Sequence, residues 1–390
     1  MNQGRSVPGY RPRSSSTDSG AVPTVAGPGG SVITSGSSAM RGSPMSERAR
    51  PARRRSSSGF PGSSTARARS VRSVSSARAS SARAAATISA SSPESSTEDF
   101  MLRVSPKHAE FGTVERALKI GDVEILALRD CVLPLRLDFQ FPEAHADDFA
   151  PFRERYPGML SEDRWLAPVR AFLIRTPRET VLFDSGLGAL GSVASVFNVR
   201  GSLPDELRRE GSPPEAIETV VLSHLHLDHA GGVMRARGAG AEPTFPRARH
   251  LLHPADLELA RQWGKQYSET VLEVEARGLL DAAAADGLQL GRALSLLHTP
   301  GHTPGSMSVL VLSRGEGALL SADAIPNPML ATEPQWRFGS DSDPAQASAT
   351  RIALMDRIES EGLVSVPTHM PEPFGGFVRV GGKRYWRGRT

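Results

Sequence analysis

The sequence predicts an α/β fold in which β-sheets are covered by helices in layers, and three observations support this prediction. From about Lys119 the chain consists of short apolar runs separated by Gly, Pro and Asp, as in strands joined by turns. Two longer stretches carry apolar residues at helical spacing. Strand-rich and helix-rich regions follow each other in the order β, α, β, α, which favours stacked layers.

Each strand is predicted from an apolar run of three to six residues. Residues 169–174 and 180–183 form a pair that is joined by a turn at 177–179. Residues 219–222 are apolar without alternation, as in a strand buried on both faces. The predicted strands are residues 123–128, 169–174, 180–183, 219–222, 307–312 and 318–320.

Helices are predicted between these strands. Residues 207–209 belong to a short helical stretch, and Pro214 begins a further helical turn. Residues 255–278 form the longest predicted helix, and residues 344–358 form another with Asp343 as its N-cap. The inner face of the longest helix is predicted to carry Leu257, Leu259, Trp263 and Val271.

The first hundred residues differ in composition from the rest. They contain 27 Ser, 14 Arg, five acidic residues and no Lys, which gives a formal charge of +9 against +4 for the whole chain. So few large apolar groups cannot bury enough surface to offset chain entropy. We therefore predict a disordered Ser/Arg-rich arm over residues 1–100 and one folded domain over 101–390, which is left with a charge of about −5.

We expect a cytoplasmic protein without a membrane partner. The sequence has no run of 18 apolar residues, no apolar segment near Met1, and a single cysteine, Cys131, that excludes an intrachain disulfide framework. The arm resembles transit peptides in composition, and its cluster Arg53-Arg54-Arg55 would suit nucleic acid. A solvated tail or a misassigned start codon explains the arm equally well, so these alternatives stay open.

The most informative segment follows the predicted strand 219–222. Three imidazoles and one carboxylate, those of His224, His226, Asp228 and His229, fall within six residues. His224 and His226 point the same way if the chain is extended, since side chains alternate along a strand. A turn after them would bring the other two to a neighbouring point. The pattern predicts two metal ions a few ångströms apart, and these ligand types suit Zn, Fe or Mn.

Further ligands are needed to complete such a centre, and three candidates occur downstream. His302 lies in a rigid Pro/Gly turn at residues 299–306. Asp323 and His369 each follow an apolar run. Each residue alone is a weak signal, but together, in this order, they supply the missing ligands.

These motifs resemble those of the metallo-β-lactamase fold hydrolases. The resemblance rests on HLHLDHAGG at 224–232, TPGHTPGS at 299–306, Asp323, His369 and FDSG at 183–186, and it extends from about Asp122 to Trp386. The segment at 165–188 and the segment PEPFG at 371–375 look most like the branch that holds quorum-quenching lactonases and organophosphate hydrolases. The resemblance implies an αββα four-layer sandwich.

The resemblance also implies a role for each candidate residue. One metal would bind His224, His226 and His302, and the other would bind Asp228, His229 and His369, with Asp323 bridging them. Asp184 would support a ligand histidine or the loop around it, although a turn-forming Asp is an alternative. Two divalent ions, with Zn²⁺ as the first candidate, would lower the pKa of a bridging water and so generate the attacking hydroxide. Asp228 would also be catalytic, as a proton shuttle to the leaving group.

The predicted function is therefore a dinuclear metal-dependent hydrolase that acts on a lactone or other ester as its small-molecule substrate. The alternatives are a thioesterase resembling glyoxalase II, a phosphotriesterase, a mononuclear iron redox enzyme, and a binding protein that acts through the arm. Nucleic acid is not expected as a substrate because the folded part is acidic and no extra nuclease domain follows.

The sequence departs from the lactonase pattern in one respect. Lactonases of this branch usually carry a Tyr shortly after the bridging Asp, but no Tyr lies between residues 268 and 384 here. Tyr267 could reach the metals from the longest helix or could simply pack there. We also predict an apolar substrate wall, with packing in the domain's own core as the alternative. Its predicted members are Phe141, Trp165, Met329 and Trp336.

Overall fold

Two β-sheets lie face to face at the centre of the structure. This computed structural model describes residues 115–188, 198–236, 240–263, 267, 269–282 and 286–389. The predicted arm, and with it the boundary near residue 100, lies outside the described residues and stays a prediction.

The first sheet is mixed. Its strands run antiparallel from β1 to β5 and parallel from β5 to β8, and they pair in the order β1-β2-β4-β5-β6-β7-β8, with β3 added beside β4. Its strands in the described part of the chain are β1 Ala117–Ile120, β2 Val123–Arg136, β3 Leu160–Ser161, β4 Arg164–Arg175, β5 Thr180–Phe183, β6 Thr219–Val221, β7 Arg249–Leu252 and β8 Leu280–Ala282.

The second sheet has the order β15-β14-β13-β12-β11-β10-β9. Its pairs are antiparallel except for β12 and β13, which are parallel. Its described strands are β9 Gln289–Leu290, β10 Leu294–His298, β11 Met307–Ser313, β12 Glu316–Leu320, β13 Val364–Val366, β14 Gly375–Val380 and β15 Lys383–Gly388.

Helices cover the outer faces of both sheets. None of the helices in the described ranges is long and apolar enough to cross a membrane. They are α1 Leu137–Gln140, α2 Ala150–Arg155, α3 Leu203–Arg209, α4 Leu227–Ala230, α5 Pro254–Trp263, α6 Val271–Ala276, α7 Pro328–Thr332 and α8 Pro344–Glu361, with short 3-10 turns at Ala146–Phe149, Pro214–Ala216, Gly231–Val233 and Ala322–Ala324.

The alternation of side chains along the strands builds the layers. On β4, Phe172 faces the core between the sheets, whereas Leu173 faces the core under α3, α5 and α6. On β12, Leu320 points between the sheets and Leu319 points toward the core that includes α8. Each strand is therefore apolar on both faces, because both faces are covered. This arrangement confirms the expected αββα sandwich.

The hairpin of β2 and β4 is much longer than the predicted strands. Its pairing extends from Glu124 opposite Arg175 to Arg136 opposite Arg164 and contains a bulge near Cys131. Pro134 and Pro168 lie within this ladder, and proline is an unusual strand residue because it lacks an amide hydrogen. Because of these prolines, the sequence pattern did not predict the far half of the hairpin. This half extends to the rim of the cavity described below.

The prediction of a single long helix over residues 255–278 is wrong. The described part contains two helices, α5 and α6, and Thr270 between them has a non-helical backbone with φ −125° and ψ −104°. The hydroxyl of Thr270 donates to the carbonyl of Tyr267 at 3.2 Å, a local hydrogen bond that competes with helix formation. Leu257 and Val271 are buried as predicted, but Trp263 is 41% exposed.

The helix predicted over 344–358 is confirmed as α8. The Asp343 side chain accepts a hydrogen bond from the amide of Gln346, which satisfies a donor at the helix start. The helix continues to Glu361 and ends at Gly362, whose φ of 66° is in the left-handed region that favours glycine.

Candidate metal centre

The loops at one edge of the sandwich carry all of the predicted metal ligands. His224 and His226 follow β6, and Asp228 and His229 lie on α4 directly after them. The other ligands lie in the loop between β10 and β11, in the 3-10 turn after β12 and in the loop after β13, and they are His302, Asp323 and His369. Strands β6, β12 and β13 thus all end at this edge, and their ends bring the ligands together.

The candidate ligand atoms form a close cluster. Within each of three groups, one nitrogen or oxygen per residue lies within 4.8 Å of the others. We call His224, His226 and His302 the first ligand group, and Asp228, His229 and His369 the second ligand group. The remaining group joins the two halves through Asp323, and it consists of His224, His229 and Asp323.

Asp323 lies between the two ligand groups and offers one carboxylate oxygen to each. Its Oδ2 is 3.3 Å from Nε2 of His302 in the first group. Its Oδ1 is 3.3 Å from Nε2 of His229 and 3.1 Å from Nε2 of His369 in the second group. The two oxygens of this carboxylate thus face different ligand groups.

The cluster has the chemistry of a metal site. Oδ1 of Asp323 is buried without a hydrogen bond, which is costly for a carboxylate oxygen. Nδ1 of His226 lies 2.9 Å from Nε2 of His302 and 3.1 Å from Nε2 of His224. Imidazole and carboxylate donors that converge in this way suit divalent transition metals. The residues present therefore fit such an ion.

Four of the five histidines are oriented by a partner at their outer nitrogen. Such a partner fixes the ring and leaves the other nitrogen free for a metal. The pairs, all through Nδ1, are His224 with Ser223 Oγ at 3.0 Å, His229 with Asp184 Oδ2 at 2.8 Å, His302 with Asp341 Oδ1 at 2.8 Å, and His369 with the Pro168 carbonyl at 2.8 Å.

Asp184 lies where the sequence interpretation placed it, beside a ligand histidine. It is fully buried, and besides His229 it accepts hydrogen bonds from the amide of Ser223 at 2.7 Å and from the hydroxyl of Ser223 at 3.0 Å. Its backbone has a φ of 67°, a left-handed conformation that is uncommon for a residue with a Cβ. The same carboxylate thus orients a ligand of the second group and the loop of the first group.

Two carboxylates near the centre were not identified from the sequence. Asp341 precedes α8 and orients His302, as described above. Asp256, in the first turn of α5, accepts from the amide of Gly305 at 2.6 Å, from the hydroxyl of Thr303 at 2.8 Å and from the amide of Leu225 at 3.2 Å. Asp256 therefore ties two ligand loops together, and its burial raises its pKa to about 6. An acidic residue at a helix start was the one available signal.

The electrostatics differ between the two halves of the cluster. Burial lowers the pKa of His226 to about 3 and, with the neighbouring imidazoles, lowers that of His224 well below its ordinary value. For His229 and His369 burial has the same sign, but the nearby carboxylates outweigh it and raise the pKa. The pKa of Asp323 is held well below its ordinary range because the attraction of these two imidazoles outweighs burial. Burial therefore dominates at His224 and His226, whereas the nearby carboxylates dominate at His229 and His369.

A cavity of about 850 Å³ opens onto the cluster. The metal-ligand candidates in its lining are His226, Asp228, Asp323 and His369. The lining also includes apolar side chains from the end of the β2/β4 hairpin, α1 and the loop after α7, which are Leu133, Leu135, Phe139, Trp165 and Phe338.

The four residues predicted as a substrate wall occupy different positions. Trp165 lines the cavity and packs edge-to-face with the ring of His369, with centroids 5.8 Å apart. Phe141 and Met329 are buried, and Trp336 packs on Phe141 with centroids 5.9 Å apart. These three residues do not belong to the lining of the cavity and pack behind it. Direct contact with a substrate is thus supported by position for Trp165 alone.

Tyr267 lines the cavity beside His226 and Asp228. Its side chain is buried, and its ring lies 5.5 Å from that of Trp263. A tyrosine therefore does reach the cavity, although from the α5/α6 connection and not from the segment after Asp323.

Comparisons with known proteins agree with this architecture. Residues 164–369, more than half of the chain, match the metallo-beta-lactamase superfamily. An N-acyl homoserine lactonase from a Bacillus species is 31% identical over 173 residues, which are 40% of this chain and 64% of that protein. The match thus spans less than two thirds of that relative's length. The N-acyl homoserine lactonase AiiB of Agrobacterium fabrum is 26% identical over 275 residues, which are 63% of this chain and 93% of that protein.

Solved structures show the same fold. The dizinc quorum-quenching lactonase AidC superposes with a TM-score of 0.60 at 19% identity, covering 70% of this chain and 97% of that one. The hydrolase AbOPH of the beta lactamase superfamily gives a TM-score of 0.61 at 21% identity, covering 72% and 98%. From the matched residues, the sandwich and the His/Asp cluster at its edge, we conclude that the chain belongs to the metallo-beta-lactamase superfamily.

Proposed function

We propose that the protein is a dinuclear hydrolase that cleaves a lactone or another carboxylic ester. The observation that carries this proposal is the position of Asp323, whose two oxygens face two different groups of ligands. A mononuclear site would use only one of these groups. The alternative of a mononuclear iron redox enzyme would leave either Asp228 or His302 without a metal to bind.

The ligand assignment follows from the groups. The first group, His224, His226 and His302, would hold one ion, the second group, Asp228, His229 and His369, would hold the other, and Asp323 would bind both. We propose Zn²⁺, which imidazole and carboxylate ligands suit. When bound, such ions activate water as a nucleophile and polarise the carbonyl of the substrate.

The protein residues have complementary tasks. Asp228 is partly exposed and lines the cavity, so its carboxylate can take a proton and deliver it to the leaving alkoxide. Trp165 and Phe338 form an apolar surface near the ligands and exclude water from that side. Tyr267 lies on the cavity wall, where its hydroxyl can orient the ester.

The lactone substrate is supported by the relatives, which are named N-acyl homoserine lactonases. The apolar side chains in the lining of the cavity also fit a substrate with an apolar chain next to a cyclic ester. Small lactones are therefore the first substrates to test, and thioesters and phosphotriesters are the alternatives that the same chemistry allows.

The test combines metal content with a substrate screen. The full chain is purified, loaded with Zn²⁺ and assayed on lactones, aryl esters, thioesters and phosphotriesters. We expect two metals per chain and the highest turnover on a lactone or ester. Fewer than about 1.5 metals per chain after loading would contradict the dinuclear centre, and turnover confined to thioesters or phosphotriesters would replace the proposed substrate.

A ligand variant separates this chemistry from contaminating activity. His226→Ala should lose metal and turnover together, because it removes a ligand that faces His302 and His224. His145→Ala is the matched control, since His145 is exposed in a distant loop. Wild-type turnover with full metal content in His226→Ala would refute the ligand assignment.

A further inference from the structure

Two buried arginines approach the ligand cluster from opposite layers of the sandwich. Arg351 lies on α8, outside the second sheet, and Arg170 lies on β4 of the first sheet. Both side chains are almost completely removed from solvent. A buried guanidinium is costly unless its donors are used, so the groups to which they donate indicate what these residues do.

Arg351 joins three segments around the first ligand group. Its Nη2 lies 3.2 Å from Oδ2 of Asp341, whose other oxygen orients His302. Its Nε donates to the carbonyl of Ala324 at 3.1 Å, and its Nη1 donates to the carbonyl of Pro334 at 3.1 Å.

The contacts of Arg351 reach two ligands at once. Ala324 directly follows the bridging Asp323 in the 3-10 turn, so the hydrogen bond to its carbonyl fixes that turn. The pair with Asp341 keeps this carboxylate aimed at His302. One guanidinium therefore sets the distance between a ligand of the first group and the bridging carboxylate.

Arg170 has the corresponding position at the second ligand group. Its Nη1 donates to the carbonyls of Thr368 at 3.0 Å and Met370 at 2.6 Å, and its Nη2 donates to that of Pro371 at 2.7 Å. These residues lie on both sides of His369 in the sequence. The guanidinium thus holds the loop of His369 from both sides.

The same strand supplies the other anchors of that loop. The carbonyl of Pro168, two residues before Arg170, accepts the hydrogen bond from Nδ1 of His369. The ring of Trp165 packs against the ring of His369. The orientation of His369 is therefore set by β4, whereas the orientation of His302 is set by the loop before α8.

We propose that Arg351 and Arg170 are positioning residues that act mainly on different ligand groups. Arg351 supports metal binding at the first ligand group, and Arg170 supports metal binding at the second. The inference rests on the proposed two-metal centre and goes beyond it, because it assigns each half of the centre to one residue outside the ligands. Arginine suits this task because its planar fork serves several acceptors at fixed angles, which lysine cannot do.

The test measures metal occupancy at each group separately. Wild type, Arg351→Lys and Arg170→Lys are equilibrated with Zn²⁺ at a series of chelator-buffered concentrations and crystallised, and anomalous difference maps give the occupancy of the two positions. We expect Arg351→Lys to raise the dissociation constant at the first group by roughly 10-fold or more, as for other partners that orient metal ligands. The second group should change less, because Arg351 reaches it only through the turn of Asp323, and Arg170→Lys should weaken the second group more than the first.

Further variants separate positioning from general stability. Arg351→Met and Arg170→Met remove the buried charge together with its hydrogen bonds, and they serve if a Lys variant does not fold. Asp341→Asn tests the first group from the side of the partner, because it removes the charge that orients His302 and pairs with Arg351. Arg384→Lys is the matched control, because the side chain of Arg384 is 10% exposed and pairs with Glu359, eight residues after Arg351 on α8.

The outcomes are distinguishable. Selective loss at opposite groups supports the proposal, as does selective loss at the first group in Asp341→Asn. Equal loss at both groups in each arginine variant, or unchanged occupancy in both, would overturn it. If wild type itself fills only one position at saturating Zn²⁺, the dinuclear function fails independently of the arginines.

Discussion

The ring of Trp263 lies parallel to the ring of the ligand candidate His226, with centroids 6.1 Å apart and an angle of 11° between the planes. Trp263 was predicted to lie on the inner, core-facing side of a long helix. It is instead exposed and stacks on His226. His226 is also the one histidine of the cluster for which the described residues provide no hydrogen-bond anchor at the outer nitrogen. Stacking on Trp263 therefore adds to the contacts with His224 and His302 that orient this ring.

Trp263→Ala should weaken metal binding at the first ligand group. An aromatic contact of this kind contributes about 0.5–1.5 kcal/mol, so the dissociation constant should rise roughly 2- to 10-fold. Competition with a metal chelator, measured in the same way for wild type and for Trp263→Ala, would give the two dissociation constants to be compared. Trp263→Phe keeps an aromatic face and should retain most of the affinity, and a Phe variant as weak as the Ala variant would argue against stacking.

Asp184→Asn should lower metal affinity at the second ligand group roughly 10- to 100-fold, because a neutral amide orients the Nδ1–H of His229 less strongly than a carboxylate. Isothermal titration of the metal-free protein with Zn²⁺ is the measurement. The exposed Asp281→Asn is the control for loss of one negative charge. Unchanged affinity in Asp184→Asn would assign Asp184 to the turn alone.

Stability should fall in acid because of His250, which is buried and lies away from the ligand cluster. Burial lowers its pKa to about 4, whereas the unfolded chain has the ordinary value near 6.5. Below about pH 6.5 the imidazole of His250 therefore binds a proton in the unfolded state. In the folded state it does not bind one until the pH falls to about 4. This group alone should remove about 2 kcal/mol of unfolding free energy between pH 8 and pH 5.

Urea unfolding of the metal-free protein at pH 8 and pH 5 measures this loss. His250→Leu, although destabilised at both pH values by the loss of the hydrogen bond to the carbonyl of Leu279, should lose about 2 kcal/mol less than wild type between them. An identical loss in both proteins would show that other groups cause the acid sensitivity.

Removing residues 1–100 should leave turnover unchanged, because every candidate ligand lies between His224 and His369. Steady-state kinetics and metal content of full-length and shortened protein would be compared. A large fall in kcat with normal metal content would give the arm a role in catalysis. Loss of binding to nucleic acid with normal turnover would support the alternative in which the arm binds a partner.

Local sequence information was sufficient for the ligands but not for what orients them. His224, His226, Asp228 and His229 are within six residues, so their convergence depends on one turn only. Asp341 reaches His302 from 39 residues away in the chain, and its position depends on how the loop before α8 packs. Neither that packing nor the contacts of Arg170 leaves a pattern of spacing in the sequence.

The residues of the cavity wall could not be predicted for a different reason. Trp165 and Phe141 are both large, apolar and buried, so composition cannot distinguish a residue that faces the cavity from one that packs behind it. The direction of Trp165 depends on the register of the extended β2/β4 hairpin, which the prolines at 134 and 168 made difficult to predict. Phe141 lies between these two strands in the sequence, directly after α1. The strand pair at 169–174 and 180–183 was predicted correctly because its apolar runs contain no proline and only one charged residue, Arg170.

The extended β2/β4 hairpin has an evolutionary consequence. Most of the apolar lining comes from one contiguous stretch between Leu133 and Trp165, whereas the ligands come from loops after His224. Substitutions or insertions in that stretch before β4 could change which ester is accepted while the ligands, and the β4 residues that orient His369, stay intact. Substrate preference could then diverge within one scaffold without any change in the metal centre.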